Sequence, residues 1–298
     1  MKISNKLLIQ LIPDWSEKEI NIEPINSGIT NLNFKVIVDK IPYFLSIADA
    51  KSQFLEINFN NKYSNNNICA GLGISPNVLY FFQKKNIIIT EFIDSKHILN
   101  EDFGSFENID KLINVIKSIH QVNSFHQEFN MFTLLKNYMS VIKNENIEIS
   151  ESAVRNFNSI NEIGEKLEMF REKLVPCHND LVPENILIKN EKLYVIDFDY
   201  SGNNDPCFEI GNLCVEMDFN ELQIKQIIEK YFGELNEHLI SRVNLHAILS
   251  DFGWSLWSFI QSTISNVDFD FKQYGNHRLN RAISKLHSPN YKHWMKNL

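Results

Sequence analysis

The chain has 298 residues, 44% of them hydrophobic and 22% charged, with a formal net charge of −8. That length and apolar content allow one large or two modest domains with buried cores and exclude a disordered chain. The acidic balance argues against a nucleic-acid binder, which ordinarily presents a basic face; Cys69, Cys177, Cys207 and Cys214 show no C-x-x-C pairing, which argues against a zinc site or disulfide framework.

In chain order, the opening MKISNKLLIQLIPDW is interrupted at Gln10 and too short in its apolar run for a signal peptide. No later apolar run approaches membrane-spanning length, so a soluble, cytoplasmic protein without membrane insertion is expected. Residues 1–94 read as a small, mostly β lobe. Ser27-Gly28-Ile29-Thr30-Asn31 lies in a small polar turn before the strand Phe34–Val38. Such a turn can lay backbone N–H groups against phosphate oxygens, although most only reverse the chain. Pro42 opens a second strand, Tyr43–Ile47; residues 54–72 read as helical; Gly73-Ile74-Ser75-Pro76 then leads to the strand Ile87–Thr90. Glu91-Phe92-Ile93 follows as a connection whose backbone groups could pair with an adenine.

Residues 95–298 read as a larger, mostly helical lobe. Leu112, Ile113, Val115, Ile116 and Ile119 make a helical stripe within Ile109–Val122, and 134–170 reads as two helices broken near Asn144–Ser150. The chemistry is concentrated between Val175 and Glu216. Ile186-Leu187-Ile188 and Leu193-Tyr194-Val195-Ile196, separated by Lys189-Asn190-Glu191-Lys192, predict a β-hairpin with Asn185 and Asp197 facing each other at its open end. Asp197 and Asp199, two apart on an expected strand, should point to the same side. Oxygen ligands of this kind suit magnesium, completed by water and phosphates. Asp180, five residues before Asn185, is left to accept a proton from a substrate hydroxyl. Each residue alone reads as a turn or a cap; the ordered set reads as phosphoryl-transfer machinery. Nearer the C-terminus, Trp254 and Trp257 lie three apart on one helix face with Gln261 a turn further on. Tryptophans at that spacing are usually core, yet two indoles can also wall a cage for a quaternary ammonium through cation–π attraction.

The run His178-Asn179-Asp180-Leu181-Val182-Pro183-Glu184-Asn185, followed by Ile196-Asp197-Phe198-Asp199-Tyr200, resembles the choline/ethanolamine kinase family, relatives of the aminoglycoside phosphotransferases and, more distantly, of protein kinases. The resemblance continues through Asn204-Asp205-Pro206, Phe208–Asn212 and Glu216, and covers almost the whole chain. It implies an α+β, two-lobed protein-kinase-like fold, with ATP and Mg2+ as cofactors and the hydroxyl of choline or a related amino-alcohol as acceptor. Under it, Asp180 is the catalytic base and Asn185, Asp197 and Asp199 serve the metal, Asp199 through water or by orienting the site. His178 braces the loop, and Glu209 supports it by hydrogen bonding. Ser27, Gly28, Thr30, Asn31, Glu91 and Ile93 fall at the nucleotide, and Glu216, Trp254, Trp257 and Gln261 at the ammonium. The family's pattern also implies a basic residue on the second strand and a Glu on the next helix; counted back from Gly73, these positions hold Ser46 and Lys62. Two readings follow: Lys62 supplies the phosphate-binding charge from the helix side, or nucleotide use is lost and the fold serves as a silent binding module. An aminoglycoside-type acceptor is a further alternative, and oligomeric state is left open.

Overall fold

The computed structural model describes residues 3–25, 28, 30–48, 55–97, 106–265 and 267–298. The first part of the chain builds α1 (Asn5–Leu11) and the strands β1 (Ile20–Ile25), β2 (Asn31–Val38) and β3 (Ile41–Ala48), then α2 (Phe59–Gly71), β4 (Val78–Phe82) and β5 (Ile87–Glu91). The strands form one antiparallel sheet in the order β1-β2-β3-β5-β4. Two of these strands carry little sequence signal. In β1 the alternation Ile20, Ile22 is spoiled by Pro24, which survives because β1 is an edge strand. The other, β4, is the opposite edge and is bulged between Val78 and Tyr80. Leu8, Ile12 and Trp15 pack on the sheet with Val36, Leu45 and Ile89.

The expected helix over 54–72 is shorter: α2 begins only at Phe59, and residue 54 lies outside the described part. Asn58 stops it, its side chain accepting the N–H groups of Asn60 and Asn61, and Glu56 before it is left-handed (φ 58°). The inward stripe of α2, Lys62, Asn65, Asn66 and Cys69, is mostly polar. Its asparagine amides donate beyond the helix: Asn65 to the Ser201 carbonyl and hydroxyl, and Asn66 to the Pro76 carbonyl.

The second part is dominated by helices. After the two-residue strand β6 (Lys96–His97) come α3 (Phe106–His120), α4 (Met131–Asn144) and α5 (Glu151–Met169), the last two separated by the expected break. Next are β7 (Val175–Cys177), β8 (Ile186–Lys189), β9 (Lys192–Val195) and β10 (Gly202–Asn204). Helices α6 (Pro206–Glu216), α7 (Glu221–Phe232), α8 (Glu237–Ile264), α9 (Phe271–Leu286) and α10 (Tyr291–Lys296) complete the chain. The 28-residue α8 is buried almost all round and carries the larger core, with Leu135, Tyr138, Ile160 and Phe208 packed about it. A second core joins α3, the β8–β9 hairpin, α6 and α7 through Ile116, Val195, Ile210 and Ile228. The whole is the two-lobed kinase-like α+β fold, sheet first and helices after.

Candidate active site

The hairpin forms in the expected register, Ile186 opposite Val195 and Lys189 opposite Lys192. Asn190 and Glu191 both take left-handed backbone (φ 49° and 62°), the conformation of a two-residue turn whose twist matches the strands. Ile196 N–H donates to the Asn185 carbonyl at 3.0 Å, so it is Ile196 that faces Asn185 at the open end, with Asp197 the next residue; Asn185 and Asp197 both line one cleft.

One expectation fails here. Asp197 and Asp199 are not on a strand: β9 ends at Val195, and Asp197 is left-handed with φ 64°. The two carboxylates nevertheless converge, because Lys62 gathers them. Its Nζ lies 2.8 Å from Asp197 Oδ1 and 2.5 Å from Asp199 Oδ1. Asp199 Oδ2 in turn accepts from Asn31 Nδ2 at 3.0 Å. Burial opposes charge on Asp197, but the Lys62 ammonium more than offsets this and holds the carboxyl below its usual range. For Asp199 burial and the neighbouring Asp197 win, and its affinity for a proton is raised.

The loop that carries Asp180 is held from behind. Asn179 is left-handed (φ 67°); its amide donates to the Tyr200 carbonyl and accepts from Asn204. Buried Glu209 accepts the backbone N–H groups of His178 and Asn179, both at 3.2 Å, and His120 Nε2 lies 3.6 Å from Oε2, the oxygen that Asn179 also reaches. Burial raises the Glu209 carboxyl, yet these partners bring it net below its ordinary value. His178 Nδ1 accepts from Asp180 N–H while Nε2 faces the Ile196 carbonyl at 3.0 Å, and burial favours the neutral ring this pattern needs. Asn185 Nδ2 donates to the Asp180 carbonyl at 2.9 Å and to its Oδ2 at 3.2 Å. The oxygen of that amide is the atom left to meet a cation.

In front of the aspartates lies a cleft of about 250 Å³ lined by both lobes, among them Gly28, Ser46, Lys62, Ile88, Ile93 and Asp197. Gly28 is left-handed (φ 100°), and a Cβ there would lie 2.7 Å from Asn33 Nδ2, so the backbone can approach the cleft closely only as glycine. Thr30 is half-buried at the start of β2, and Ser27 lies outside the described residues. At the lobe connection the exposed Glu91 carboxylate turns back to accept from Asn77 N–H and Nδ2. The Ile93 carbonyl accepts the Ser95 hydroxyl at 3.2 Å.

A family model described as choline/ethanolamine kinase matches residues 22–232. The chain belongs to the choline/ethanolamine kinase family. Human ethanolamine kinase 1 is 28% identical over 317 residues, covering 92% of this chain and 69% of that protein. A choline/ethanolamine kinase family protein from Mesorhizobium loti shares the fold with a TM-score of 0.82 at 24% identity, 98% of each chain covered. Choline kinase LicA from Streptococcus pneumoniae gives 0.79 at 25% identity, with 94% of this chain and 98% of that one covered. A LicA structure in complex with AMP gives 0.78 at 24% identity, with 95% and 99% covered. Choline/ethanolamine kinases are small-molecule kinases acting on amino-alcohols.

Of the residues expected at the acceptor, Glu216 is the one whose charge acts on Asp180. Burial, then the Glu216 charge, then Asp197 and Asp199 raise the Asp180 carboxyl well above its ordinary value, against a pull from Arg278. Glu216 itself is bound by Arg278 Nη1 at 2.5 Å, and the same nitrogen reaches the Tyr274 hydroxyl at 2.9 Å. Neither Tyr274 nor Arg278 had a role assignable in sequence; their four-residue spacing on α9 was the signal available. Trp254 and Trp257 stand at 89° with ring centroids 6.4 Å apart, each only 5% exposed. Trp254 Nε1 donates to Asn212 at 3.0 Å, and its ring meets Tyr200 edge-on at 4.7 Å. Gln261 is buried one turn beyond on α8.

Proposed function

We propose that the chain is an ATP-dependent, magnesium-requiring kinase that phosphorylates the hydroxyl of choline or a closely similar amino-alcohol. The observation that supports it most is that Asn185 and Asp197 line an interlobe cleft, with Asp180 bonded to the Asn185 amide and Asp199 joined to Asp197 through Lys62. The donors fit a hard cation: two carboxylates that already draw a positive group between them, plus an amide oxygen. Asn185, Asp197 and Asp199 would hold magnesium, which when bound neutralises charge on the transferring phosphate.

The chain's own groups do the rest. Ile88 and Leu187, which line the cleft, would hold the adenine, with the backbone of Glu91–Ile93 available to its polar edge. Gly28, which lines the cleft without a Cβ, would let its own backbone approach the phosphates. Asp180 Oδ accepts the proton of the acceptor hydroxyl as that oxygen bonds to the γ-phosphorus and the bond to the β-bridging oxygen breaks. Its raised proton affinity suits this task. The Asn185 amide and the His178 ring hold the loop so that the carboxylate is aimed rather than free to rotate. The family resemblance puts the ammonium at Trp254 and Trp257, whose indoles stand at right angles and are each 5% exposed; neither they nor Glu216 is among the residues lining the interlobe cleft. Glu216 is already ion-paired with Arg278, so it adds no free acid for an aminoglycoside's several ammonium groups. Cation–π contacts of about 0.5–2 kcal/mol each need no hydrogen bond from the ligand, as a quaternary ammonium requires.

A coupled assay for nucleotide diphosphate release across choline, ethanolamine and an aminoglycoside tests this. Choline-type acceptors should turn over with magnesium and ATP; release only with the aminoglycoside, or with none of the three, would refute the reading.

A further inference from the structure

Lys62 sits where no simple nucleotide site needs a residue to sit. Its side chain is 7% exposed, and its ammonium bridges Asp197 and Asp199, themselves the acids placed at the metal. Its position is built into the helix. One turn on, Asn65 is bonded to Ser201 and Asn66 to the Pro76 carbonyl, so α2 is pinned to the larger lobe and to its own exit loop. Lys62 also lines the interlobe cleft and is the one lysine or arginine among the described residues that do. Across that cleft Ser46 on β3 offers only a hydroxyl.

Two carboxylates that share one cation-binding position repel each other when it is empty, and the repulsion grows as water is excluded. A lysine held between them removes that cost, but it also competes for the oxygens a divalent ion would take. We propose that Lys62 is the resident counter-cation of the metal site, holding Asp197 and Asp199 together when no divalent ion is bound and giving way into the cleft when magnesium arrives with the nucleotide. The proposal rests on the assignment of these aspartates to magnesium made above. It implies that magnesium alone binds weakly, because it must displace an ammonium with nowhere favourable to go. The nucleotide's phosphates provide that destination, so metal and nucleotide should bind synergistically.

Thermal unfolding of the purified full chain, at fixed ionic strength, in EDTA, in magnesium alone and in magnesium with a non-hydrolysable ATP analogue, separates the possibilities. Wild type should be unmoved by magnesium alone and stabilised by magnesium with the analogue. Lys62→Met in EDTA should melt lower by on the order of 10 °C and regain most of that in magnesium alone. Lys62→Met/Asp199→Asn, which removes a cation and an anion together, should melt near wild type in EDTA and lose the response to magnesium. This second variant also stands in if Lys62→Met cannot be recovered folded. A Lys62→Met protein as stable as wild type in EDTA, or destabilised but not rescued by magnesium, would overturn the counter-cation while leaving the kinase assignment intact. So would a double variant that stays destabilised in EDTA. Wild type unmoved by magnesium with the analogue would instead remove the metal–nucleotide assignment, and the counter-cation with it.

Discussion

Half-buried Asp180 and buried Asp205 show how differently two acids can be placed. Asp180 is raised by burial and by like charges, and its nearest polar contact is the Asn185 amide. Asp180→Asn keeps the shape and removes the base, so kcat should fall by roughly 10²–10⁴, while nucleotide affinity, read by titration of the analogue, stays within a few-fold. A variant that turned over at the wild-type rate would take the base role from Asp180. Asp205, by contrast, is structural. It caps α6 through Cys207 N–H, and its Oδ2 is bonded by Arg242 Nε at 2.6 Å and faces His246 Nε2 at 3.2 Å. Burial raises it, but His246 and Arg242 prevail and hold it far below the ordinary carboxylate range. A carboxyl depressed on folding adds stability that is complete above its unfolded value of about 4 and is lost as pH falls below it towards the folded value. Asp205→Asn should cost about 3–5 kcal/mol in urea unfolding at pH 7, and the gap to wild type should narrow as the pH is taken below 4.

At the scale of elements, two predictions run against or with local preference. Gly211 faces α8 so closely that a Cβ would lie 2.6 Å from the Val243 carbonyl oxygen and 3.0 Å from Ala247 N. Alanine is the better helix former by about 1 kcal/mol, yet overpacking against backbone costs about 1–3 kcal/mol. Gly211→Ala should therefore lower the urea midpoint, and an increase would show that α6 can slide on α8. In the hairpin, Glu191 holds φ 62° without glycine's freedom. Glu191→Gly creates Asn-Gly, the favoured pair for this turn, and should stabilise by about 0.5–1 kcal/mol, with unchanged KM values because the turn lies at the end of the hairpin away from Asp197.

For the whole molecule, the candidate active site is also where the lobes are tied. Lys62 and Asn31 from the first part of the chain reach Asp197 and Asp199 in the second, and Asn65 reaches Ser201. Ligands in the cleft should thus stabilise both lobes together. At 100 times Kd, magnesium with the ATP analogue adds about 2.7 kcal/mol and should raise Tm by several degrees as one transition. A split transition, with only one lobe shifted, would contradict this coupling. Among the described residues no helix is long and apolar enough to cross a membrane.

What was legible in the residues alone was everything encoded by short-range order. The hairpin could be read from its apolar runs, the helices from their stripes, and the loop from Asp180 and Asn185 at five-residue spacing, since turn geometry carries such residues to one place. Edge strands β1 and β4 were not legible, because half-covered strands have weak alternation and one contains Pro24. Nor was the destination of Lys62. Its position on a helix was readable, but that an ammonium from α2 crosses to two aspartates more than a hundred residues later depends on how the lobes dock. The pairing of Glu216 with Arg278 was likewise settled by packing: α9 lies along α8, and a buried charge without water takes whichever opposite charge the tertiary contact supplies.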